Sequence, residues 1–396
     1  MSHPLLAARM AEIEAFHVMA ILARARALEA QGRSIIHMEI GEPDFPTAAP
    51  IVEAGIAALR AGHTQYTASL GLPALRAAIA ASYPEAARPD PARVVVTPGS
   101  SGALTLLFGV LINPGDEVLM ADPGYPCNRH FVRLFEGRAT LVPVDAATSY
   151  QLTAALICQH WTPATRAVLI SSPSNPTGTL VPDADMAEIV RTVRELGGVL
   201  IVDEIYHGLT YGVQARSALH YSADVFVVNS FSKYYGMTGW RVGWLVAPVD
   251  YIDALDRLAQ NIFLAASTPA QHAALAAFQP ETLAELERRR AEFRARRDFL
   301  VPALRALGFG IPIIPEGAFY LYADSSRLAA DSDDFAFRLL EEAGVAITPG
   351  RDFGLHAPKQ HVRFSYANTR AQLEKGMRRI AAFLGRSIPA SEFKAG

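Results

Sequence analysis

Cysteine is scarce in this chain, and so are the features that mark secreted and membrane proteins. Only Cys127 and Cys158 occur among 396 residues, too few for a framework of disulfides. No apolar run reaches the ~20 residues that a membrane-spanning helix needs. No charged start leads into an apolar signal core, and we find no internal repeat or low-complexity tract. These absences predict a protein of the reducing cytoplasm with no role at a membrane.

An excess of one charge is also missing. The 36 lysines and arginines nearly balance the 39 aspartates and glutamates, which leaves a net charge of -3. This balance argues against nucleic acid or an acidic membrane surface as a partner. Hydrophobic residues make up 51% of the chain and charged residues 19%, an ordinary globular composition. The length allows two or three domains with a large core.

The most informative stretch surrounds Lys233. It follows the apolar run Val225 to Val228, which predicts a buried parallel strand. A side chain just past such a strand lies where open α/β sheets bind ligands. A desolvated lysine there can form a Schiff base with a carbonyl cofactor, and the guanidinium of Arg241 suits a phosphate dianion. Small residues around the lysine let the backbone approach a ligand closely: Ser230, Ser232, Gly236, Gly239 and Gly243.

A carboxylate ends a second apolar strand. The run from Val199 to Val202 predicts a strand covered on both faces, so the carboxylate of Asp203 needs a partner to offset its burial. A pyridine nitrogen is such a partner, because an aspartate keeps the ring protonated and so makes it a stronger electron sink. We interpret the neighbouring Glu204 as a structural carboxylate.

Two turns follow further predicted strands. Val94 to Val96 lead into Pro98-Gly99-Ser100-Ser101-Gly102, a strand, turn and helix whose free N–H groups suit a phosphate. It is not a Walker loop, since no Gly-Lys-Ser/Thr follows. Asn175-Pro176-Thr177-Gly178 follows the strand from Ala167 to Ile170, and both of its dipeptides favour turns.

Taken together, these stretches resemble the class I/II aminotransferases of fold type I, the superfamily of aspartate aminotransferase. The resemblance runs from about residue 10 to about residue 385, with its motifs in the family's order. It implies pyridoxal 5'-phosphate as cofactor, bound to Lys233 as a Schiff base. Lys233 also acts as general base and acid, Asp203 holds the ring nitrogen, and Arg241 binds the phosphate.

The resemblance implies roles for further residues of this sequence. Asn175 and Tyr206 bond the phenolic oxygen of the cofactor, and Tyr125 stacks on its ring. Tyr66 reaches the phosphate in the other subunit of a homodimer. Gly41, Asn175 and Arg363 bind substrate, with Arg363 on the α-carboxylate. The other expected cofactor-binding residues lie in the phosphate turn and around the lysine: Ser100, Ser101, Gly102, Ser230 and Ser232.

The implied fold is a large α/β domain, with a seven-stranded, mostly parallel sheet, and a smaller α/β domain. We assign residues 46–280 to the large domain, 281–396 to the small one, and 1–45 to an N-terminal segment that joins the small domain. The patterns predict helices over 8–31, 281–307 and 333–344 and from about 369. They also predict a strand pair over 310–322, a short strand over 345–350 and a strand over 361–367.

The expected activity is transfer of an amino group from an L-amino acid to a 2-oxo acid such as 2-oxoglutarate or pyruvate, without a metal. A neutral donor is favoured, because Val18, Ile40 and Ile262 are candidate walls of the side-chain pocket. No second arginine stands at a matched position for a distal carboxylate, and Arg129 is the nearest basic candidate. The physiological donor, the acceptor and the pathway stay open.

Three alternatives remain beside this reading. A pyridoxal-phosphate-dependent β-lyase or synthase of the same fold uses the same core residues. A non-enzymatic, cofactor-sensing regulatory domain would carry an added DNA-binding module, for which the match leaves no room. A non-catalytic structural descendant conflicts with the presence of every expected cofactor residue.

Overall fold

The computed structural model of the protein describes residues 5–389. Residues 1–4 and 390–396, which belong to the predicted N-terminal segment and small domain, lie outside the described part. The α-helices are α1 (His17–Ala30), α2 (Ala49–Arg60), α3 (Pro73–Ser82), α4 (Gly99–Leu111), α5 (Cys127–Leu134), α6 (Ala154–His160), α7 (Asp183–Glu195), α8 (Ile252–Ile262), α9 (Thr268–Leu275), α10 (Pro280–Ala306), α11 (Ser332–Arg338) and α12 (Arg370–Phe383). The strands are β1 (Ile36–His37), β2 (Val94–Thr97), β3 (Glu117–Asp122), β4 (Arg138–Pro143), β5 (Thr165–Ser171), β6 (Val199–Asp203), β7 (Phe226–Ser230), β8 (Gly243–Val246), β9 (Tyr320–Asp324), β10 (Val345–Ala346), β11 (Thr348–Pro349) and β12 (His361–Ser365).

A seven-stranded sheet in the order β2-β8-β7-β6-β5-β3-β4 organises most of the chain. Strand β8 runs antiparallel to both of its neighbours, while β3 to β7 pair in parallel. Alternate residues of β5 belong to different apolar clusters. Val168 and Ile170 lie in one cluster, and Ala167 and Leu169 lie in the other. The sheet is therefore covered on both faces, which explains the unbroken apolar runs in its strands.

The C-terminal part of the chain contributes strands to two small sheets, one of two strands and one of three. Strand β12 pairs antiparallel with both β9 and β11, and β1 pairs in parallel with β10. Ile36 and Met38 share an apolar cluster with Phe364 and Leu373. These contacts support the proposal that the N-terminal segment joins a small domain, although the boundaries at residues 45 and 280 stay a prediction.

Helix α1 begins at His17 and not at residue 8, so the predicted start was wrong. Only a 3-10 turn, Ala8–Ala11, forms ahead of it. The backbone of Phe16 is extended (φ −72°, ψ 111°), and the amides of His17 and Val18 donate to the distant Asp352. Met10, Ile13 and Phe16 therefore match helical spacing without lying on one helix.

Three further predictions were wrong in detail. Where a strand pair was expected, only β9 forms a strand, and Gly310 makes an isolated antiparallel bridge to Asp324 at its end. Pro312 and Pro315, which follow Gly310, have no N–H to extend this bridge into a ladder. The apolar run at residues 345–350 is divided between two sheets, with β10 and β11 on either side of Ile347. The helix predicted over 333–344 begins at Ser332 and changes to a π-helix over Leu339–Ala343.

The long charged helix was predicted nearly to the residue, as α10 spans Pro280–Ala306. Its arginines are largely paired: Arg289 with Glu285, and Arg296 with Asp44 and Glu292. Within residues 5–389, no helix is both long and apolar enough to cross a membrane.

Candidate active site

A cavity of about 390 Å³ opens at the carboxyl ends of the parallel strands, large enough for a small ligand. Strand β5 ends at Ser171 and β6 at Asp203, and both residues line the cavity. The chain leaves β7 toward Lys233, while β2 turns into α4. The strand ends thus bring together side chains that are far apart in sequence.

Lys233 projects into this cavity from the turn after β7. Its Nζ donates to the carbonyl of Gly41 at 2.6 Å. Burial lowers the pKa of Lys233 to about 8, helped by Arg363 and Arg241 and opposed chiefly by Glu42. At this pKa about a tenth of the amine is uncharged at pH 7, far more than at the ordinary lysine pKa, and the uncharged form is the one that acts as a nucleophile or a proton acceptor.

Asp203 faces the same cavity with only 6% of its surface exposed. Its Oδ1 accepts a hydrogen bond from the amide of Ile205 at 3.0 Å. Burial raises the pKa of Asp203 to about 7, and the charge of Glu204 adds to this, while Ile205 and Lys233 act against it. Among residues 5–389, no ion pair to Asp203 is found within 4 Å. The site therefore holds a buried carboxyl group suited to a cationic ligand group.

The first turn of helix α4 and Arg241 also line the cavity. Ser100 and Ser101 lie in the first turn of α4, where backbone N–H groups have no helical partner. Arg241 donates to the carbonyl of Thr238 at 2.9 Å, and its guanidinium packs so close to Gly99 that a Cβ there would lie 2.6 Å from Nη2. A helix N-terminus beside an arginine suits a phosphate group.

Arg363 is buried on β12 at 2% exposure. Its Nη1 donates to Oδ1 of Asn175 at 2.8 Å, and its Nη2 donates to the carbonyl of Glu39 at 2.6 Å. The guanidinium lies over the rings of Tyr320 (4.3 Å) and Phe353 (4.8 Å). Its Nε is buried without a hydrogen-bond partner, and no carboxylate of residues 5–389 lies within 4 Å. Such a guanidinium is ready for an external carboxylate.

Most of the predicted site residues line this one cavity: Gly41, Ser100, Ser101, Tyr125, Asn175, Asp203, Tyr206, Ser232, Lys233, Arg241 and Arg363. Three do not. Ser230 is absent from the lining, and its hydroxyl oxygen lies 2.8 Å from that of Ser232 and 3.1 Å from the carbonyl oxygen of Val242. Gly102 is packed against Pro98. Tyr66 does not line the cavity, and 81% of its surface is exposed.

The interpretation of Glu204 agrees with the structure. Its Oε1 accepts from the hydroxyl of Ser217 at 2.9 Å and from the amide of Ala218 at 2.7 Å. Arg129 does not line the cavity and pairs with Glu14 at 3.3 Å. Ile262 is also absent from the lining and is 45% exposed, whereas Val18 and Ile40 are present.

Sequence reasoning missed several lining residues. The hydroxyl of Tyr320 is 2.9 Å from that of Tyr206, and its position on β9 was not connected with the site. Glu42 lies within the Gly41-Glu42-Pro43 segment that was already singled out. Phe16, Met19 and Leu22 come from α1 and its start, and their side of the helix became clear only in the fold.

The residues 5–389 contain no group of three or more histidine, cysteine, aspartate or glutamate side chains placed to hold a metal ion. Comparison with known proteins identifies the family of this chain. The profile of the family "Aminotransferase class I and II" matches residues 33–380. The chain belongs to this family. The aminotransferase therefore moves amino groups between small molecules.

Relatives of the aminotransferase match it along nearly the whole chain. The (5-formylfuran-3-yl)methyl phosphate transaminase of Methanocaldococcus jannaschii is 38% identical over 96% of this chain and 100% of that protein. The valine–pyruvate aminotransferase of Mycobacterium tuberculosis is 37% identical over 94% of this chain and 97% of that protein. A solved aspartate aminotransferase from Thermus thermophilus, with maleate, superposes with a TM-score of 0.91 at 34% identity, covering 96% of this chain and 100% of that one. Proteins of similar likeness thus carry the names of different substrates.

Proposed function

We propose that the aminotransferase binds pyridoxal 5'-phosphate in the cavity and transfers amino groups from neutral L-amino acids to a 2-oxo acid. One observation supports this above the others. A half-buried lysine and a buried carboxyl group, which has no ion-pair partner among residues 5–389, share a cavity that is also lined by a helix N-terminus beside an arginine.

Each part of the cavity matches one part of that cofactor. Arg241 and the first turn of α4 offer donors for the phosphate. Asp203 would offer a carboxylate for the ring nitrogen, and the hydroxyl of Tyr206 and the amide group of Asn175, which line the same cavity, would bind the phenolic oxygen. When bound, the cofactor supplies an electrophilic carbonyl and an electron-withdrawing ring.

The chain's own groups then handle protons and position. Lys233 would hold the cofactor covalently, and its amine, once free, would act as the base and acid that moves the proton at Cα of the donor. Asp203 would hold a proton on the ring nitrogen. Its burial strengthens this interaction, because the local dielectric constant is low.

We assign the donor's α-carboxylate to Arg363. A buried guanidinium whose Nε has no partner is costly, and a carboxylate meets its planar fork with two hydrogen bonds. Asn175 and the carbonyl of Glu39 fix the guanidinium in place. The rings of Tyr320 and Phe353 pack against it and keep water away.

The donor's side chain then faces a largely apolar wall. Phe16, Val18, Met19, Leu22, Ile40 and Leu104 all line the cavity. The acidic side chain of Glu42 also lines it and would repel a donor with a second carboxylate. We therefore propose alanine or larger aliphatic or aromatic amino acids as donors, with 2-oxoglutarate or pyruvate as acceptor.

The first experiment tests the cofactor. The purified protein is expected to be yellow and to lose its colour on borohydride treatment. Mass spectrometry should then find the cofactor attached to Lys233. A colourless protein that does not take up added cofactor would contradict the proposal, as would attachment to another lysine. Lys359, which is exposed and paired with Asp331, is the control position for nonspecific labelling.

The second experiment tests the donor class. Single-turnover rates are compared for alanine, leucine, phenylalanine, aspartate and glutamate. Each methylene that fits an apolar pocket contributes ~1–3 kcal/mol, so a broad preference for neutral donors is expected. A tenfold lead of aspartate would overturn the neutral-pocket proposal. Release of pyruvate, ammonia and a thiol from an amino acid that carries a leaving group at Cβ, such as cystathionine, would instead indicate the lyase alternative.

We further propose that the enzyme works as a homodimer in the cytoplasm. The exposure of Tyr66 supports the homodimer, since a tyrosine side chain that is 81% exposed is well placed to reach a second subunit. The two free cysteines, Cys127 and Cys158, support the cytoplasmic location.

A further inference from the structure

We propose that Asp352 is a positioning residue for the donor's side chain. Its carboxylate holds the first turn of α1 over the cavity. Asp352 belongs to the loop whose next residue, Phe353, packs on Arg363. Asp352 does not line the cavity, so it acts through the residues that it places. The inference rests on the proposed function, because it concerns how that site selects its donor.

The contacts of Asp352 are those of a helix cap supplied from far along the chain. Oδ1 accepts from the amide of His17 at 2.8 Å, and Oδ2 accepts from the amide of Val18 at 2.7 Å. Asp352 is 2% exposed. Helix α1 has no cap of its own, since Phe16 at the N-cap position makes no side-chain bond. A carboxylate at a helix N-terminus also opposes the positive end of the helix dipole.

What Asp352 holds is the wall of the donor subsite. Phe16, Val18 and Met19 line the cavity, and all three lie within two residues of the capped amides. Phe16 packs edge to face on Tyr125, with ring centroids 6.4 Å apart. A shift of this turn by an ångström would change the volume available to a donor side chain.

The same loop supports the grip on the α-carboxylate. Asp352 follows β11, where Thr348 is 3.4 Å from Nη2 of Arg363. Phe353, the next residue, packs under the Arg363 guanidinium. One short segment therefore fixes both the carboxylate-binding arginine and the helix turn that faces the donor side chain, and so sets the distance between them.

Other contacts hold the remainder of α1, so loss of the cap should free only its first turn. Ile21, Ala25 and Leu28 are buried in a small apolar cluster. Arg24 pairs with Glu341. The segment ahead of the helix is tied to α5 by Glu12 and Arg133 at 2.7 Å. A folded enzyme with a loosened subsite wall is the expected result.

The test compares Asp352→Asn and Asp352→Ala in the cofactor-loaded enzyme. For Asp352→Ala, kcat/KM for leucine should fall about tenfold through KM, since a lost cap weakens the turn by roughly that factor. Alanine, whose methyl group reaches the wall little, should change by less than about threefold. Asp352→Asn keeps one acceptor oxygen and should fall between the wild type and Asp352→Ala in its leucine-to-alanine ratio.

Hydrogen exchange supplies a readout that is independent of turnover. The amides of His17 and Val18 should exchange faster in both variants, while those of the later turns of α1 stay protected. Thr153→Ala is the matched control, because Thr153 caps α6 through the amide of Leu156 at 3.2 Å and lies away from the cavity. It should change neither the α1 amides nor the leucine-to-alanine ratio.

Each alternative outcome has a distinct pattern. An equal loss for all donors in both variants would show that Asp352 acts through its charge on Arg363, and an unchanged ratio with faster exchange would show a purely structural cap. Either result overturns the inference while the enzyme remains an aminotransferase. A wild type that transfers no amino group from any donor would instead overturn the proposed function.

Discussion

At the scale of single residues, burial determines the chemistry. Burial in the cavity lowers the pKa of Lys233 to about 8 and raises that of Asp203 to about 7. Both pKa values therefore lie closer to neutral pH than usual. Desolvation disfavours the charged form of each group, and this is the largest cause in both cases. Groups with such shifted pKa values are characteristic of active sites.

Asp203→Asn should separate cofactor binding from catalysis. The donors at Arg241 and α4 remain, so we expect the cofactor affinity to fall by less than about tenfold. Transamination should fall by 100-fold or more, because an amide does not hold a proton on the ring nitrogen as a carboxylate does. The measurements are a cofactor titration and a single-turnover rate with alanine. Near-normal turnover would assign Asp203 another role.

The same variant should alter how stability depends on pH in the cofactor-free protein. The folded-state pKa of Asp203, about 7, lies above its ordinary value, so folding favours the protonated form and stability declines as the pH rises from about 4 to about 7. Asp203→Asn escapes this loss. Its advantage over the wild type in unfolding free energy should grow from pH 5 to pH 8, by on the order of 1–4 kcal/mol. A constant difference would show that Asp203 is ionised throughout.

Tyr320→Phe should lower activity through Tyr206. It removes the hydroxyl that lies 2.9 Å from the hydroxyl of Tyr206, a bond that contributes ~0.5–1.5 kcal/mol, and so should reduce kcat up to about tenfold. The control is Tyr83→Phe, which removes a buried hydroxyl that accepts from Nε1 of Trp244 at 2.9 Å. That variant should lose stability and keep its kcat. Equal kcat losses would indicate a general packing effect.

At the scale of elements, close backbone packing positions the first turn of α4, which we propose as the phosphate-binding part of the cavity. A Cβ on Gly243, the first residue of β8, would lie 2.8 Å from the carbonyl carbon of Gly99 and 2.9 Å from the amide nitrogen of Ser100. These are backbone atoms and cannot swing aside. Strand β8 therefore fixes the position of the first turn of α4.

Gly243→Ala should weaken cofactor binding, because the added methyl group must push the first turn of α4 away from β8. We expect the dissociation constant to rise at least tenfold, together with a loss of ~1–3 kcal/mol in stability from overpacking. Gly239→Ala is the control within the same segment, since nothing lies within 4 Å of a Cβ there. A cofactor titration of both variants decides the matter, and equal affinities would contradict this account.

At the scale of the whole molecule, the exposed side chains suggest a second copy. Tyr66 is 81% exposed, and Ile262 and Leu264 at the end of α8 are 45% and 48% exposed. An isolated subunit gives these apolar surfaces no partner. We therefore expect them to be covered in the homodimer.

Tyr66→Phe should lower cofactor affinity about tenfold, since one hydrogen bond to the charged phosphate of the other subunit is lost. The apolar ring remains, so the dimer should persist in sedimentation at micromolar concentration. Full activity in a monomeric wild type would contradict the shared site, and an unchanged affinity would show that Tyr66 does not contact the phosphate.

The sequence alone located the site wherever the chemistry is local. Strand runs followed by turns placed Lys233, Asp203, Asn175 and the first turn of α4, because a buried strand and the turn after it are encoded in adjacent residues. Most of these side chains line one cavity in the fold. The charged helix α10 was equally clear, since its pattern extends over many turns.

Only the tertiary structure decided contacts between distant segments. The hydrogen-bonded residues Arg363 and Asn175 are 188 positions apart in sequence, Tyr206 and Tyr320 are 114 apart, and Val18 and Asp352 are 334 apart. The start of α1 depends on the last of these pairs, so helical spacing alone placed it too early. A periodic pattern reports which face of an element is apolar, whereas a cap or a hydroxyl pair depends on which remote backbone folding brings alongside.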